Sequence, residues 1–222
     1  MLKFYYNPLS PNARRVWLTL LEKQIPFEPM VIKMDGDQYQ PDFLAVNPFH
    51  HIPVVVDDGL RIVESIAIMD YLEAKYPTPA LMPTEVSDRP AAIATIRMAQ
   101  LVTANEFFPK VIPLICEDKD SPKWQQAQQE LPLAFMSELL GDSLYIGGDM
   151  FSLGDIVAGI AIQLTAALGV SLGSYPNLKQ WQQRLMDRAP WQSTQISEPD
   201  LENFRRRVKV MVRLRQRAMR QS

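Results

Sequence analysis

The first third of the chain contains two patterns of hydrophobic residues, and each pattern predicts a different kind of secondary structure. Short β-branched and aromatic runs favour strands at Leu2–Tyr6, 27–33, 53–56 and 61–63. The Asp-Asp-Gly sequence at 57–59 predicts a hairpin turn between the last two strands, because Asp and Gly tolerate the positive φ that such turns require.

Two further segments carry apolar residues every three or four positions and predict helices. The first begins at Ser10, a good N-cap, with Pro11 in its first turn, and ends near residue 23. The second begins near Glu64, with Ser65 expected at the N-cap. Strand, helix and strand within the first 33 residues form a βαβ unit with parallel strands. A short helix around 41–45, the hairpin and the second helix complete a βαβ-α-ββα order.

A proline-rich segment from Pro77 to Pro83 ends this pattern, and no strand is predicted between residues 88 and 222. We therefore expect an α/β domain at 1–77, a linker at 78–87 and an all-helical domain at 88–222. The helical candidates are 91–117 (kinked by Pro109 and Pro113), 123–140 (with Pro132 unplaced), 153–168, 177–188 and 198–220.

The segment at 153–168 is apolar nearly all round, which predicts the buried central helix of the second domain. Ser152 and Asp155 form an S-x-x-D capping box directly before it. We expect these two residues to serve folding rather than chemistry.

Composition narrows the function classes. The chain has 222 residues, a net charge of −2 and 47% hydrophobic residues, so we expect an ordinary globular protein that does not bind nucleic acid. Cys116 is the single cysteine, which excludes an intrachain disulfide, and His50 and His51 have no further His or Cys to complete a metal site. We see neither a secretory signal nor an apolar run of about 20 residues, and we expect a cytoplasmic protein without a metal.

The stretch 47–77 carries a family resemblance. Ile52-Pro53 opens a strand, a DG hairpin follows, and Glu64-Ser65 stands at the next helix start, which resembles the glutathione-binding half of a cytosolic glutathione transferase. That family has a thioredoxin-like N-terminal domain followed by an all-helical domain with a capping box before its core helix, so the resemblance covers the whole chain. It implies that Pro53 is a cis-proline and that glutathione is the co-substrate.

The resemblance also implies the chemistry, which is activation of the glutathione thiol. The segment YYNPLSPNARRV is similar to the serine-type transferases (theta-, delta- or phi-like, of a bacterial class), and Ser10 would then stabilise the thiolate. From spacing alone Ser10 is equally an N-cap, and Tyr5 or Tyr6 is the alternative activating group. The absence of a cysteine near Ser10 argues against the glutaredoxin-like branches of the superfamily.

Glutathione needs partners for one ammonium and two carboxylates. By the resemblance, Glu64 would bind the γ-glutamyl ammonium, and the Ser65 hydroxyl with the helix-start amides would bind its carboxylate. Ile52 would offer its backbone to the cysteinyl part. An Arg often follows the Glu-Ser pair in this family, whereas here the residue is Ile66.

Phe49, His50 and His51 lie on the loop before the strand that Pro53 opens. His50 or His51 would meet the glycine carboxylate of glutathione, since different classes use either position. Phe49 matches an aromatic residue that some classes insert into the partner of a homodimer, although it would equally suit a local core contact.

The second substrate would be a small hydrophobic electrophile bound between the domains. Leu9, Phe107 and Phe108 are candidates for its pocket, although aromatic residues at helical spacing are more often core. Aryl halides, isothiocyanates, peroxides and haloalkanes all remain possible electrophiles.

The carboxyl-terminal segment 201–222 has eight Lys or Arg residues against Glu202, a charge of +7, whereas the rest of the chain carries −9. A helix that packs on the acidic body explains this charge, and an anionic membrane surface or an acidic partner is the alternative.

The resemblance therefore implies a homodimeric glutathione transferase that acts in detoxification and the stress response. The alternatives are a non-enzymatic binding or assembly protein with the same fold, and a glutathione-dependent isomerase or peroxidase. The Ser-Ser-Cys run of the isomerase branch is absent at 9–13.

Overall fold

The computed structural model of the chain describes residues 1–33, 35–84 and 89–219. Its first part is a four-stranded sheet with the strand order β2-β1-β3-β4. The first two strands pair in parallel and the other pairs are antiparallel, as the βαβ unit and the hairpin predict. The strands are β1 (Leu2–Tyr6), β2 (Phe27–Val31), β3 (Val54–Asp57) and β4 (Leu60–Val63).

Three helices accompany the sheet: α1 (Pro11–Glu22), α2 (Pro41–Val46), which follows a 3-10 turn at Asp37–Tyr39, and α3 (Ser65–Lys75). Together they confirm the predicted thioredoxin-like α/β architecture. Ser10 caps α1, as expected.

The start of α3 differs from the prediction. Glu64 and not Ser65 occupies its N-cap, and the Glu64 side chain makes no capping hydrogen bond. The physical reason is the φ of +69° at Glu64, which keeps this residue outside the helix and makes Ser65 the first helical residue.

The segment that leaves α3 is tied to both parts of the chain. The buried Lys23 Nζ donates to Glu73 Oε2 and to the Pro79 carbonyl, both at 2.6 Å, while Glu73 Oε1 accepts from the backbone of Leu81. The Leu81 carbonyl in turn accepts from Leu153 N in the helical part. Residues 85–87 of the predicted linker lie outside the described residues.

The second part of the chain is helical, as predicted. Two predicted helices are interrupted. In the first, Thr103–Phe107 forms a π-helical turn that ends two residues before Pro109, whose missing N–H removes a regular helical bond. The second stops at Gln129, and Pro132 occupies the N-cap of the next helix. The helices are α4 (Arg89–Val102), α5 (Phe108–Cys116), α6 (Pro122–Gln129), α7 (Leu133–Leu140), α8 (Leu153–Ala167), α9 (Pro176–Met186), α10 (Ala189–Ser193) and α11 (Glu198–Met219).

Helix α8 is the core of this part, with 12 of its 15 residues buried. Ser152 and Asp155 form the predicted capping box at its start. Gly159 lets α9 and α10 approach, because a Cβ there would lie 2.5 Å from Leu185 Cδ1 and 2.6 Å from the Trp191 ring. The packing of α8 therefore depends on the buried Asp155 carboxylate at its start and on the absence of a side chain at Gly159 in its middle.

Helix α11 packs against α5 and buries Val208, while Val210, Met211 and Leu214 stay exposed. Arg220 and the side chain of Arg215, which belong to the predicted basic segment, lie outside the described residues. Across the described ranges, no helix has the length and apolar character that crossing a membrane requires. The same residues contain no cluster of His, Cys, Asp and Glu that could hold a metal ion.

Candidate active site

The sheet register brings the three predicted segments to one edge. Tyr5 at the end of β1 lies opposite Val54 at the start of β3, and Val54 lies opposite Val63 at the end of β4. The chain therefore leaves β1 toward Ser10, enters β3 from Ile52-Pro53 and leaves β4 into Glu64-Ser65 at the same place.

The turn before α1 fixes the position of Ser10. Asn7 is buried, and its side chain donates to the Ile32 carbonyl at 2.8 Å and accepts from Leu9 N at 3.0 Å. Ser10 is half-buried, and its Oγ accepts from Ala13 N at 3.2 Å. Because Oγ is already an acceptor here, its own proton remains available for donation to a negative atom beside the positive end of α1.

The two alternative hydroxyl groups have different surroundings. The Tyr6 ring is buried between Phe4, at 4.6 Å between centroids, and Trp17, at 5.3 Å. Burial raises the pKa of Tyr6, which makes its phenol harder to ionise. Tyr5 is half-buried and packs against Phe43. The ring of Tyr6 thus belongs to the core, and that of Tyr5 packs beside it.

The loop before β3 is held by a buried amide. Asn47 Nδ2 donates to the His51 carbonyl at 2.7 Å, and Asn47 Oδ1 accepts from Phe49 N at 3.0 Å. His50 is half-buried with a φ of +49°, whereas His51 is exposed. The Ile52-Pro53 peptide bond is cis, as the resemblance implied.

Ser65 has a charged neighbour that the sequence analysis missed. Arg15 Nη1 donates to Ser65 Oγ at 3.2 Å, and the Arg15 guanidinium lies 4.7 Å from the centre of the Phe108 ring. Arg15 is 3% exposed, its Nε and Nη2 have no partner among the described residues, and burial lowers its pKa to about 10. A positive charge therefore stands behind Ser65, whose own proton is free to be donated.

Ile66 was the available signal for Arg15. A carboxylate site at the start of α3 that has no basic residue after Ser65 requires a positive charge from another element. Glu64 beside it is exposed, and its positive φ is a strained conformation for a residue with a side chain. Strain of this kind often marks a site where the backbone is held for a ligand.

The residues predicted to contact the electrophile differ in their exposure. Phe107 is 0% exposed and lies in the core, so its side chain cannot line an open pocket. Phe108 is half-buried with its ring against Arg15, and Leu9 is half-buried. Phe49 is 62% exposed, which removes the alternative of a local core contact.

Comparisons with known proteins cover both parts of the chain. Residues 4–80 match the family model described as glutathione S-transferase, N-terminal domain, and residues 89–189 match the model of the C-terminal domain. Glutathione S-transferase 3 of Zea mays is 31% identical over 213 residues, which cover 89% of this chain and 95% of that protein. Disulfide-bond oxidoreductase YfcG of Escherichia coli is 28% identical over 207 residues, with 85% and 91% covered. The structure of glutathione S-transferase-I bound with lactoylglutathione matches with a TM-score of 0.75 at 25% identity, covering 87% of this chain and 97% of that one.

Proposed function

The chain belongs to the glutathione S-transferase family and is an enzyme that conjugates glutathione, and we propose that Ser10 is the group that stabilises the glutathione thiolate. The observation that carries this proposal is the Ser10 Oγ itself, which accepts from Ala13 N at the start of α1 and keeps its proton. The enzyme is then of the serine type.

The required stabilisation is modest. A thiol with a pKa near 8.5 is mostly protonated at neutral pH, and only the thiolate attacks electrophiles well. Lowering that pKa by about two units needs about 2.7 kcal/mol of preferential thiolate binding. One charged hydrogen bond contributes about 1.5–3 kcal/mol, and the positive end of a helix adds to it. The Ser10 hydroxyl and α1 together are therefore sufficient.

The remaining site residues bind the peptide ends of glutathione. Glu64 would bind the γ-glutamyl ammonium, and the Ser65 hydroxyl would donate to the neighbouring carboxylate. Arg15 supplies the positive charge that an Arg after the Glu-Ser pair supplies in other members, and it orients Ser65 Oγ. Ile52 would pair through its backbone with the cysteinyl part beside Pro53.

The loop histidines and the pocket residues complete the proposal. His50 or His51 would bind the glycine carboxylate of glutathione. Leu9 and Phe108 would contact a small hydrophobic electrophile that enters between an α/β domain at 1–77 and a helical domain at 88–222, joined at 78–87. Detoxification, a role in the stress response and a cytoplasmic location follow from this substrate class and family.

We also propose a homodimer. Phe49 is 62% exposed, and α4 carries an exposed apolar stripe with Ala94, Met98 (43% exposed) and Leu101 (51% exposed) at helical spacing. A second copy of the chain would cover this stripe and receive Phe49.

Ser10→Ala tests the central proposal. We expect conjugation of glutathione to an aryl halide and an isothiocyanate to fall at least tenfold, with glutathione affinity kept and the pKa of the bound thiol raised. Thr is the matched variant, because Ser10→Thr retains a hydroxyl at the cap. An active Ala variant with an unchanged thiol pKa would refute the role of Ser10 and direct attention to Tyr5. Failure of the wild-type chain to bind glutathione would favour the non-enzymatic alternative.

A second activity is suggested by one relative, whose name is disulfide-bond oxidoreductase. Cys116 is the single cysteine of this chain, so one chain cannot reduce a disulfide with a pair of its own thiols. Glutathione would have to supply both electrons. Release of oxidised glutathione from a small mixed disulfide, measured beside conjugation, separates the two activities.

A further inference from the structure

A small cavity lies where α1 meets the helical part of the chain. Its walls include Pro11 and Arg14 from α1, Ile160 and Gln163 from α8, and Phe204 from α11. Its volume is about 50 Å³, whereas a single water needs about 10–15 Å³ of such space. The cavity therefore accepts a group of a few heavy atoms, although not a whole aromatic ring.

The Arg14 side chain places a positive charge at this apolar wall. Arg14 is 3% exposed, Nη1 donates to Gln163 Oε1 at 2.6 Å, and Nε donates to Thr194 Oγ1 at 3.3 Å. Among the described residues, Nη2 has no hydrogen-bond partner and no carboxylate forms an ion pair with Arg14, whose guanidinium lies 5.5 Å from the centre of the Trp191 ring. Burial lowers the pKa of Arg14 to about 10, so the group stays charged at neutral pH without a counter-charge.

Arg14 also fixes the orientation of Gln163. Because the guanidinium binds the amide oxygen, the amide nitrogen of Gln163 is left as the donor. A charge without a counter-charge and an oriented N–H donor beside the same small space favour an anionic acceptor. Among groups of a few heavy atoms on an organic electrophile, a carboxylate fits this description best.

We propose that this cavity is a subsite for a carboxylate carried by the electrophile, with Arg14 and Gln163 as its binding residues. The inference rests on the proposed role of Ser10 in thiolate stabilisation. Pro11, which lines the cavity, directly follows Ser10, and Arg14 is one helical turn, about 6 Å, further along α1. This separation along the helix backbone is of the size of one aromatic ring, so we place the carboxylate para to the reacting carbon.

A matched pair of electrophiles tests the subsite: 4-chloro-3,5-dinitrobenzoate and its neutral methyl ester. In both, the glutathione sulfur forms a bond to the carbon that carries chlorine, chloride leaves with the electron pair of the C–Cl bond, and the thiol proton goes to solvent. The two electrophiles differ in the charge, the size and the electron-withdrawing strength of the para group, so each is compared with itself between wild type and variant. The ester therefore reports folding, glutathione binding and the Ser10 step within each variant.

For Arg14→Gln, we expect kcat/KM for the acid to fall about tenfold, the size of one charged hydrogen bond. The ester should change less than threefold. Arg14→Lys should retain most of the preference for the acid, and Gln163→Leu should lose part of it. Equal losses for acid and ester in Arg14→Gln would overturn the proposal and make Arg14 a purely structural residue.

A measurement on the wild-type chain needs neither turnover nor a variant. 3,5-Dinitrobenzoate, which lacks the leaving group, should bind at least tenfold more tightly than its methyl ester in calorimetry. Absence of that difference would overturn the subsite even if the ester is conjugated, in which case the proposed function stands. Binding of the acid without conjugation of either electrophile would instead support the subsite and refute the proposed function.

Discussion

Asp155 is the residue whose replacement should destabilise the folded chain most. Its carboxylate is completely buried and accepts hydrogen bonds from three N–H donors on different segments. Ile146 N donates at 2.8 Å, Ser152 N at 2.8 Å and Trp181 Nε1 at 2.7 Å. Asp155→Ala leaves these three buried donors without an acceptor.

The expected loss follows from these donors. Each buried donor without a partner costs about 1–3 kcal/mol, and water that enters the space left by the carboxylate relieves part of that sum. We therefore expect the free energy of unfolding to fall by about 3–5 kcal/mol, which is also the range for breaking a buried charged pair. At about 2–4 °C per kcal/mol for a chain of this size, the melting temperature should fall by about 10 °C.

Urea denaturation followed by circular dichroism measures this change. Asp149→Ala is the matched control, because Asp149 is an exposed carboxylate of the segment just before α8. The control should change the free energy of unfolding by less than about 0.5 kcal/mol. A loss below about 1 kcal/mol in Asp155→Ala would refute the reasoning, because three unpaired donors could not then remain buried.

The same comparison has a pH dependence. Burial raises the pKa of Asp155 from 3.8 to about 6. The geometry provides a place for the proton, because the single Ser152 hydroxyl proton cannot fill both contacts of Oγ, with the Ile146 carbonyl at 2.9 Å and Asp155 Oδ2 at 2.7 Å. The folded chain thus binds a proton more tightly than the unfolded chain, and this stabilisation is full below about pH 4 and lost as the pH rises through 6. The difference between wild type and Asp155→Ala should be about 2 kcal/mol larger at pH 4.5 than at pH 7.5, and a difference that does not vary with pH would contradict this pKa.

Three further substitutions test other features. Gly159→Ala should lower the free energy of unfolding by about 1–3 kcal/mol, measured by urea denaturation, since its Cβ would meet Trp191 at 2.6 Å, and an unchanged midpoint would contradict the close approach. Arg188→Ala should lower the free energy of unfolding by about 1.5–3 kcal/mol, because Glu22, whose side chain is 6% exposed, loses the partner that binds both of its oxygens at 2.8 and 2.6 Å. In the Arg188→Ala background, Glu22→Gln removes the unpaired charge and should restore most of the lost stability, which a double-mutant cycle measures. Glu64→Gly should raise the melting temperature, because glycine relieves the strain at φ +69°, and it should also raise KM for glutathione. If stability and glutathione affinity both rise or both fall, Glu64 does not combine backbone strain with glutathione binding.

Local rules predicted those parts of the chain that local interactions control. The capping box at Ser152 and Asp155 is complete within four residues, and the strands follow from short β-branched and aromatic runs. Pro132 shows the limit of such rules. Proline signals a break, but only the packing of the flanking helices decides whether the chain bends a helix or ends one there.

The candidate site was predictable where it is contiguous in sequence and hidden where it is not. Ser10, Ile52-Pro53 and Glu64 were identified from motifs of two or three residues. The contact between Arg15 and Ser65 joins residues 50 positions apart and leaves no period or motif in either segment. Buried arginines without carboxylate partners are visible only once the tertiary structure shows what surrounds them.

The contacts of helix α1 limit how domains can recombine between proteins of this architecture. Its first residue follows Ser10, its middle contacts the helical part through Arg14 and Gln163, and its end binds Arg188 through Glu22. A recombination event that joins the first 80 residues of one relative to the helical half of another would replace one partner in both cross-domain pairs, Arg14–Gln163 and Glu22–Arg188. Functional chimeras should therefore arise only when Gln163 on α8 and Arg188 beside α10 come from the same parent as α1. The two halves of the chain should then evolve together.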